Sequence, residues 1–398
     1  MKRKCCKCAA FLVVGFVLFV AGIVAPGLDD DRAPAPGGVV LAAAGIGPLG
    51  ATVNVGKEDN ARAAIQKAID AVQKKGGGSV LIPAGTYVLD GELVVTKDYV
   101  RLVGESRATV LQAGKGTETI IHFAASHGGV ENLTLNGTMG VPLEAMIRGE
   151  TGGAVRSTGV TALRIAPRPP LPKGRRVFQN YNRFSNLLIT GCAEGIVMQA
   201  GPNIPKRGDS GCWYNVFDTV LIIYTWRGVW LRDPVSVSGS QVNRNQFYSV
   251  RIGQGVNTGV QIDAGDTNSF IGCSFEGIRD GESPNETPTA ILINASSGTQ
   301  RADNNNNTFV CARFEANRVD LDNRNPSSDF YASNVWFPKK FRGIRPLYVV
   351  GGYDPSYTPL VMPGIVYPEG NLPDMPNQIN FTRPVQFHKE VTGIKSQE

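Results

Sequence analysis

The pattern Asn-x-Phe-x-x-apolar-x-Ile/Phe stands five times in this chain. The copies are NRFSNLLI from Asn182, NVFDTVLI from Asn215, NQFYSVRI from Asn245, NSFIGCSF from Asn268 and NTFVCARF from Asn307. Their starts lie 33, 30, 23 and 39 residues apart. A second short alternation follows each one: Ile196/Met198, Val229/Leu231, Val260/Ile262, Ile291/Ile293 and Val319/Leu321. Alternation every second residue means a strand with one buried face. Short strands recurring at this period, with no helical run between them, mean stacked coils, none of which can bury its apolar side alone. The Phe of each copy and the apolar residues at its sixth and eighth positions are predicted to point inward. The Asn is predicted at a turn, its amide bonding the next coil. GVENLTLNGT, with Val130, Leu133 and Leu135, is an earlier and weaker copy.

Composition agrees with this reading. Gly (47) and Pro (25) are frequent enough to supply many turns and to disfavour a helical fold. One helix stands out. In DNARAAIQKAIDAVQ, Ala64, Ile65, Ala68, Ile69 and Val72 share one face, Asp59 or Asn60 caps the start, and Gly76 to Gly78 stop it. A helix over 59–75 is placed to close the open end of a solenoid.

The first 28 residues read as an address. Lys2, Arg3, Lys4 and Lys7 precede 17 apolar residues, 9–25, as in a secretory signal peptide or a signal anchor with its amino terminus in the cytoplasm. Residues 29–49 read as a linker, 50–344 as the solenoid, and the Pro-rich 345–398 as a cap or tail. The bulk of the chain is thus expected outside the cytoplasm, secreted or membrane-anchored. The net charge of +6 owes much to the basic start, and no basic face argues for nucleic acid. In an oxidising compartment Cys192 and Cys212 are candidates for a disulfide. No cysteine or histidine spacing suggests a metal site.

The blocks DNARAAIQKAIDAV, GGGSVLIPAGTYVL and YVRLVGES resemble the opening of the pectate-lyase superfamily, in the branch holding rhamnogalacturonase-like and epimerase-like proteins and phage tailspikes. The resemblance implies an all-β, single-stranded right-handed parallel β-helix (solenoid) with an N-terminal capping helix over roughly residues 50–340. It does not imply one activity, because the fold hosts lyases, hydrolases, epimerases and adhesins. The polygalacturonase strings N-T-D, G-H-G and R-I-K, the D-P-H-D of alginate epimerases and the W-x-D-H of pectate lyases are all missing.

Candidate site residues come from the repeat register. Stacking the copies places Leu188, Leu221, Arg251, Ser274 and Arg313 in one outward column and Thr190, Ile223, Gly253, Glu276 and Glu315 in the next. Rungs ~4.8 Å apart would bring Glu276 and Glu315 near the ~5–5.5 Å carboxyl spacing of retaining glycosidases, with Arg251 and Arg313 beside them. These four are the catalytic candidates. In a lyase an arginine takes the C5 proton, and carboxylates hold Ca²⁺ or face the sugar. The second strands give the outward column Val197, Trp230, Gln261, Leu292 and Asp320, flanked by Gln199, Arg232, Asp263, Asn294 and Asp322. Trp230, Arg232, Asp263, Asp320 and Asp322 are the substrate-binding candidates, with Trp230 as a sugar-stacking platform. Ordinary surface ion pairs and a packed Trp account equally for these columns. The expected partner is a polysaccharide, with uronic-acid-containing chains favoured; Ca²⁺ fits but is not required, and no assembly state is implied. Two functions stay open: a polysaccharide lyase or glycoside hydrolase, and a non-catalytic glycan-binding or adhesive surface protein.

Overall fold

Every strand of the repeat pairs in parallel with the strand one coil away. The computed structural model describes residues 51–52, 60–137, 159–168, 177–200, 210–232, 242–278, 287–294, 307–310, 312–324, 330–335, 341–343, 347–352 and 363–366. The coils form a right-handed parallel β-helix with three faces. Face 1 includes Gly78–Ile82, Val100–Gly104, Val216–Asp218, Gln246–Tyr248, Ser269–Ile271 and Thr308–Val310. Face 2 includes Gly85–Leu89, Thr109–Ala113, Leu221–Ile223, Arg251–Gly253, Ser274–Glu276 and Arg313–Glu315. The long strands Gly129–Asn136 and Arg183–Thr190 bend and serve both faces, which makes faces 1 and 2 one continuous sheet. Face 3 is a separate sheet: Leu93–Val95, Thr119–Phe123, Thr161–Ile165, Glu194–Gln199, Arg227–Arg232, Thr258–Ile262, Thr289–Ile293, Val319–Asn323 and Phe341–Gly343.

The repeat phenylalanines form a single column. Phe184, Phe217, Phe247, Phe270 and Phe309 are partners in register. Their rings stack at 4.9, 4.6, 4.4 and 4.6 Å, all buried. Each such contact is worth ~0.5–1.5 kcal/mol beyond the burial of its area. The recurring asparagines form a second column at the corner entering face 1. Asn182 donates from Nδ2 to Oδ1 of Asn215, and the chain of bonds runs on through Asn245, Asn268 and Asn307, at 2.9–3.0 Å throughout. Each Oδ1 also accepts the backbone N–H of the preceding asparagine in the column. These amides therefore satisfy backbone groups that a corner would otherwise bury without partners.

The residue before each of the first four corner asparagines is in the left-handed region. Tyr181, Tyr214, Arg244 and Thr267 have φ of 56–58°. Tyr99, His127, Tyr181 and Tyr214 stack at this corner at 5.1–5.2 Å. The aromatic stacking offsets part of the strain of ~1–3 kcal/mol that such a backbone carries.

The amino-terminal end is closed by α1 (Ala61–Lys74). Oδ1 of Asn60 accepts from the Ala63 N–H at 2.9 Å, and Ile65, Ile69 and Val72 enter the core. Beyond the last repeat copy, Phe330–Val335 and Leu347–Gly352 add parallel rungs, and Pro363–Val366 runs antiparallel to Leu347–Gly352. The address and linker over 1–49 lie outside the described residues, as does most of 345–398. Among the described residues no helix is long and apolar enough to cross a membrane.

One register expectation is corrected. Leu321, not Val319, pairs with Ile291, and Val319 pairs with Thr289. Asp322 therefore continues the column of Trp230, Gln261 and Leu292, and Arg324 bonds the carbonyl of Ile293 where Asp322 was expected to flank. A two-residue shift preserves the apolar alternation, so alternation alone cannot detect it. Cys192 and Cys212 are two separate buried thiols and do not form the suggested disulfide.

The asparagine column can be tested at its centre. Asn245 is fully buried and makes four side-chain bonds, to Asn215 (twice), Cys212 and Asn268. Asn245→Ala leaves buried partners unsatisfied and should cost ~2–4 kcal/mol. Urea unfolding monitored by circular dichroism reads this as a lower midpoint. A midpoint equal to that of the unsubstituted protein would show the ladder to be dispensable.

Candidate functional site

On face 2 the predicted columns are observed in register, though Thr190, Ile223 and Gly253 of the second are buried. Leu188, Leu221, Arg251, Ser274 and Arg313 are successive partners, as are Thr190, Ile223, Gly253, Glu276 and Glu315. Gly253 is required by this stack, since a Cβ there would lie 2.0 Å from the Glu276 carbonyl oxygen. Glu276 and Glu315 stand on adjacent rungs, and Arg313 contacts both of them. Arg251 pairs with Glu276 at 2.7 Å, Arg313 reaches Glu276 at 3.7 Å, and Arg313 also bonds Glu315. Ser274 bonds Glu276 as well. About half of the Arg251, Arg313 and Glu315 side chains is open to solvent, against 18% of Glu276. The two carboxylates and two guanidiniums balance in charge, and exposed pairs of this kind add ~0–1 kcal/mol each.

Face 3 is different, because its polar groups are half-buried and linked. Asp263 accepts from Nε1 of Trp230 at 2.5 Å, from Gln261 at 2.8 Å and from Asn294 at 2.7 Å. The Trp230 ring, fixed by that bond, carries two guanidiniums: Arg227 at 4.2 Å and Arg232 at 4.6 Å from its centre. The ring is thus a seat for arginines, and its expected role as an open sugar platform is replaced by that of orienting two cations. Arg227 donates to Oε1 of Glu194 at 2.7 Å. Arg164, on the preceding rung, is half-buried, and burial lowers its pKa, with Arg232 acting in the same direction. Further along, Glu92 pairs with Arg168 at 2.7 Å and lies 3.5 Å from Nδ1 of His122. The Nε2–H of His122 is used by the Ala166 carbonyl at 3.0 Å. Burial lowers the His122 pKa against the opposing pull of that carbonyl and Glu92.

Asp320 and Asp322 stand apart from this group. Asp320 is buried and accepts from Asn317 at 3.0 Å. It continues the column of Gly195, Gly228, Gly259 and Ala290 rather than that of Trp230. Asp322 pairs with Arg324 at 2.8 Å. Trp213 packs on Phe178, and Tyr214 belongs to the corner stack. Among the described residues no group of three or more His, Cys, Asp or Glu is placed to hold a metal ion.

The residues that sequence reasoning missed are Glu194, Arg227, Arg164 and His122. Glu194 and Arg227 are partners that precede Gly195 and Gly228. A Cβ at Gly195 would meet the Gly228 carbonyl at 2.4 Å, and one at Gly228 would meet the Gly259 carbonyl at 2.6 Å. The signal was the recurrence of a polar residue and then Gly at the start of three second strands: Glu194-Gly195, Arg227-Gly228, Thr258-Gly259.

Three buried atoms of this cluster have no hydrogen-bond partner: Nε of Arg164, Nε of Arg227 and Oε2 of Glu194. Native proteins leave few such groups, and a concentration of them needs a cause. Burial pushes the Glu194 carboxyl up to about 7, against the pull of Arg227, Arg232 and Arg164. The folded protein then keeps that proton in a window where the unfolded chain has released it. Stability from this group is full below the ordinary carboxylate value and is lost as pH rises through about 7. Thermal melts should therefore fall between about pH 5 and about pH 8 in the unsubstituted protein, and fall less in Glu194→Gln. Parallel curves for the two proteins would refute this.

Residues 50–146 match the family described as rhamnogalacturonase A/epimerase, pectate lyase-like. The match takes in Glu92 and His122 and stops before the other face 3 residues. No curated protein matches the sequence. Among solved structures, ORF18 of Geobacillus virus E2 is similar at 14% identity and a TM-score of 0.47, over 76% of this chain and 60% of that protein. A pectin methylesterase in complex with a hexasaccharide is 17% identical, with a TM-score of 0.45, over 75% of this chain and 93% of the enzyme. The tailspike of E. coli bacteriophage HK620, in complex with a pentasaccharide, is 12% identical, with a TM-score of 0.37, over 73% and 64%. Residues 50–146 are thus similar to the rhamnogalacturonase A/epimerase, pectate lyase-like family, and the described coils form a right-handed parallel β-helix.

Proposed function

We propose that this β-helix acts on an acidic polysaccharide, bound along face 3, outside the cytoplasm. The observation that carries the reading is the set of unmet hydrogen-bonding atoms beside Trp230. Two arginine N–H groups, on Arg164 and Arg227, call for an acceptor, and one carboxyl oxygen of Glu194 is without a partner. A sugar carboxylate supplies the acceptor for the two arginines. Arg232, held over the same ring, adds a third cation. Guanidiniums with fixed orientation suit planar carboxylates, and desolvation strengthens the pairing. The likeness of the first coils to rhamnogalacturonase-type proteins supports a polysaccharide as the partner. The basic and apolar start of the chain supports export, with a membrane anchor if that segment is retained.

Cleavage is by hydrolysis or β-elimination. The face 2 cluster of Glu276, Glu315, Arg251 and Arg313 remains a proposed reaction site, on the strength of its adjacent carboxyls. A second reading, binding without cleavage, is favoured by the missing family strings. A glycan panel separates these. New reducing ends mark a hydrolase, absorbance of an unsaturated uronide marks a lyase, and retention in a gel without either product marks a binder.

Arg232→Ala should weaken binding to a uronic-acid polysaccharide about tenfold, or ~1.4 kcal/mol. Binding to its neutral, carboxyl-reduced form should not change. Isothermal titration against both polymers checks this, and equal losses on the two would refute an anion-reading role for Arg232.

A further inference from the structure

We infer that Glu194 is the acid that protonates the leaving sugar oxygen at this site. The inference rests on the reading of face 3 as the glycan site and assigns that site its proton donor.

The geometry singles out one carboxyl. Glu92 is engaged by Arg168 at 2.7 Å and faces His122. Asp263 accepts from three side chains. His122 has committed its Nε2–H to a carbonyl. Oε2 of Glu194 is, among the described residues, the one buried carboxylate oxygen without a partner. Its other oxygen is fixed by Arg227, so the free oxygen has a set direction. The side chain is 19% exposed and Oε2 itself is buried, so the carboxyl is not solvated as a surface carboxylate is. The charged groups around it are Arg227 on the next rung, Arg164 on the preceding one, and Arg232. The Cys192 thiol also feels it, but burial pushes that thiol far up and keeps it neutral. Desolvation outweighs the three arginines and leaves the carboxyl half protonated near pH 7, where a general acid is most useful.

The step balances without a cofactor. The proton on Oε2 moves to the oxygen bridging two sugars as the bond from that oxygen to the anomeric carbon breaks. Both bonding electrons stay on the oxygen, which leaves as a hydroxyl. Water adds its oxygen to the anomeric carbon and releases one proton, which restores the acid form of Glu194. In elimination the bond to C4 breaks instead, the C5 hydrogen passes as a proton to water, its bonding electrons form the C4–C5 double bond, Glu194 again protonates the departing oxygen, and the proton taken up by water restores the acid form of Glu194.

The test compares the full chain with Glu194→Gln and Glu194→Asp on a uronic-acid polysaccharide. Binding is followed by titration, and turnover by reducing ends and by uronide absorbance. Glu194→Gln is expected to bind within about threefold of the unsubstituted protein while turnover falls at least about a hundredfold. The unsubstituted protein should lose turnover as pH rises through about 7, and that inflection should be absent from the residual rate of Glu194→Gln. Glu194→Asp keeps a carboxyl. It should turn over slowly and keep an inflection, which preserves the test if the glutamine variant does not fold. Full turnover in Glu194→Gln, or turnover lost only in Glu276→Gln or Glu315→Gln, overturns the assignment while the glycan reading stands. Binding with no turnover in the unsubstituted protein overturns it in favour of the binder. No binding to any acidic polymer overturns the reading of face 3 itself.

Discussion

Rung-to-rung register is the constraint on which the rest depends. A parallel β-helix has no local hydrogen-bonded unit, and each strand is satisfied only by the coils on either side. Slip by one residue would turn every inward side chain out. The buried asparagine column prevents this. Its amides bond one another and the backbone N–H groups of the corner, so a slipped coil would bury unmet donors and acceptors. The phenylalanine column, on the same strands, adds apolar area and ring contact. Polar specificity and apolar stability are thus supplied by residues two apart in the same motif.

With register fixed inside, the outer faces are free to differ. Face 2 carries exposed, balanced ion pairs, and Arg313 bridges the two carboxyls that sequence stacking brought together. Face 3 carries a half-buried chain of contacts running from Asp263 through Trp230 and Arg227 to Glu194. Burying a carboxylate beside arginines is costly, and the attraction does not by itself repay the desolvation. A neutral, protonated Glu194 avoids much of that cost. Stability and reactivity therefore come from the same burial, and the site trades some stability at higher pH for a proton held near neutrality.

The fold was legible because its determinants repeat. Asn-x-Phe marks the corner and the first inward residue of each coil, and the face 2 columns followed from counting. The face 3 site was only half legible. Trp230, Arg232 and Asp263 came from the alternation, but their mutual contacts did not. A tryptophan on a strand reads as a platform until the two arginines over it are seen. Glu194 and Arg227 lie one step before the alternation starts, beside glycines whose role is to let rungs approach. The last coil slipped by two residues because Val319, Leu321 and Asn323 keep the same parity in either register. Turn length would have decided it: Leu321 follows Glu315 by the same six residues that separate Val229 from Ile223.

The coil also sets how such a site can arise. Arg164, Glu194 and Arg227 are separated by 30 and 33 residues in sequence and meet because each occupies a neighbouring rung. Insertions between coils change their distance along the chain without changing their distance in space, as the uneven spacing of the repeat copies already shows. An outward position can therefore exchange one polar residue for another while the asparagine and phenylalanine columns remain untouched. In this architecture the inward residues determine the fold and leave the outward ones to determine the chemistry. That separation is why the repeat motif marks the fold and says nothing of Glu194.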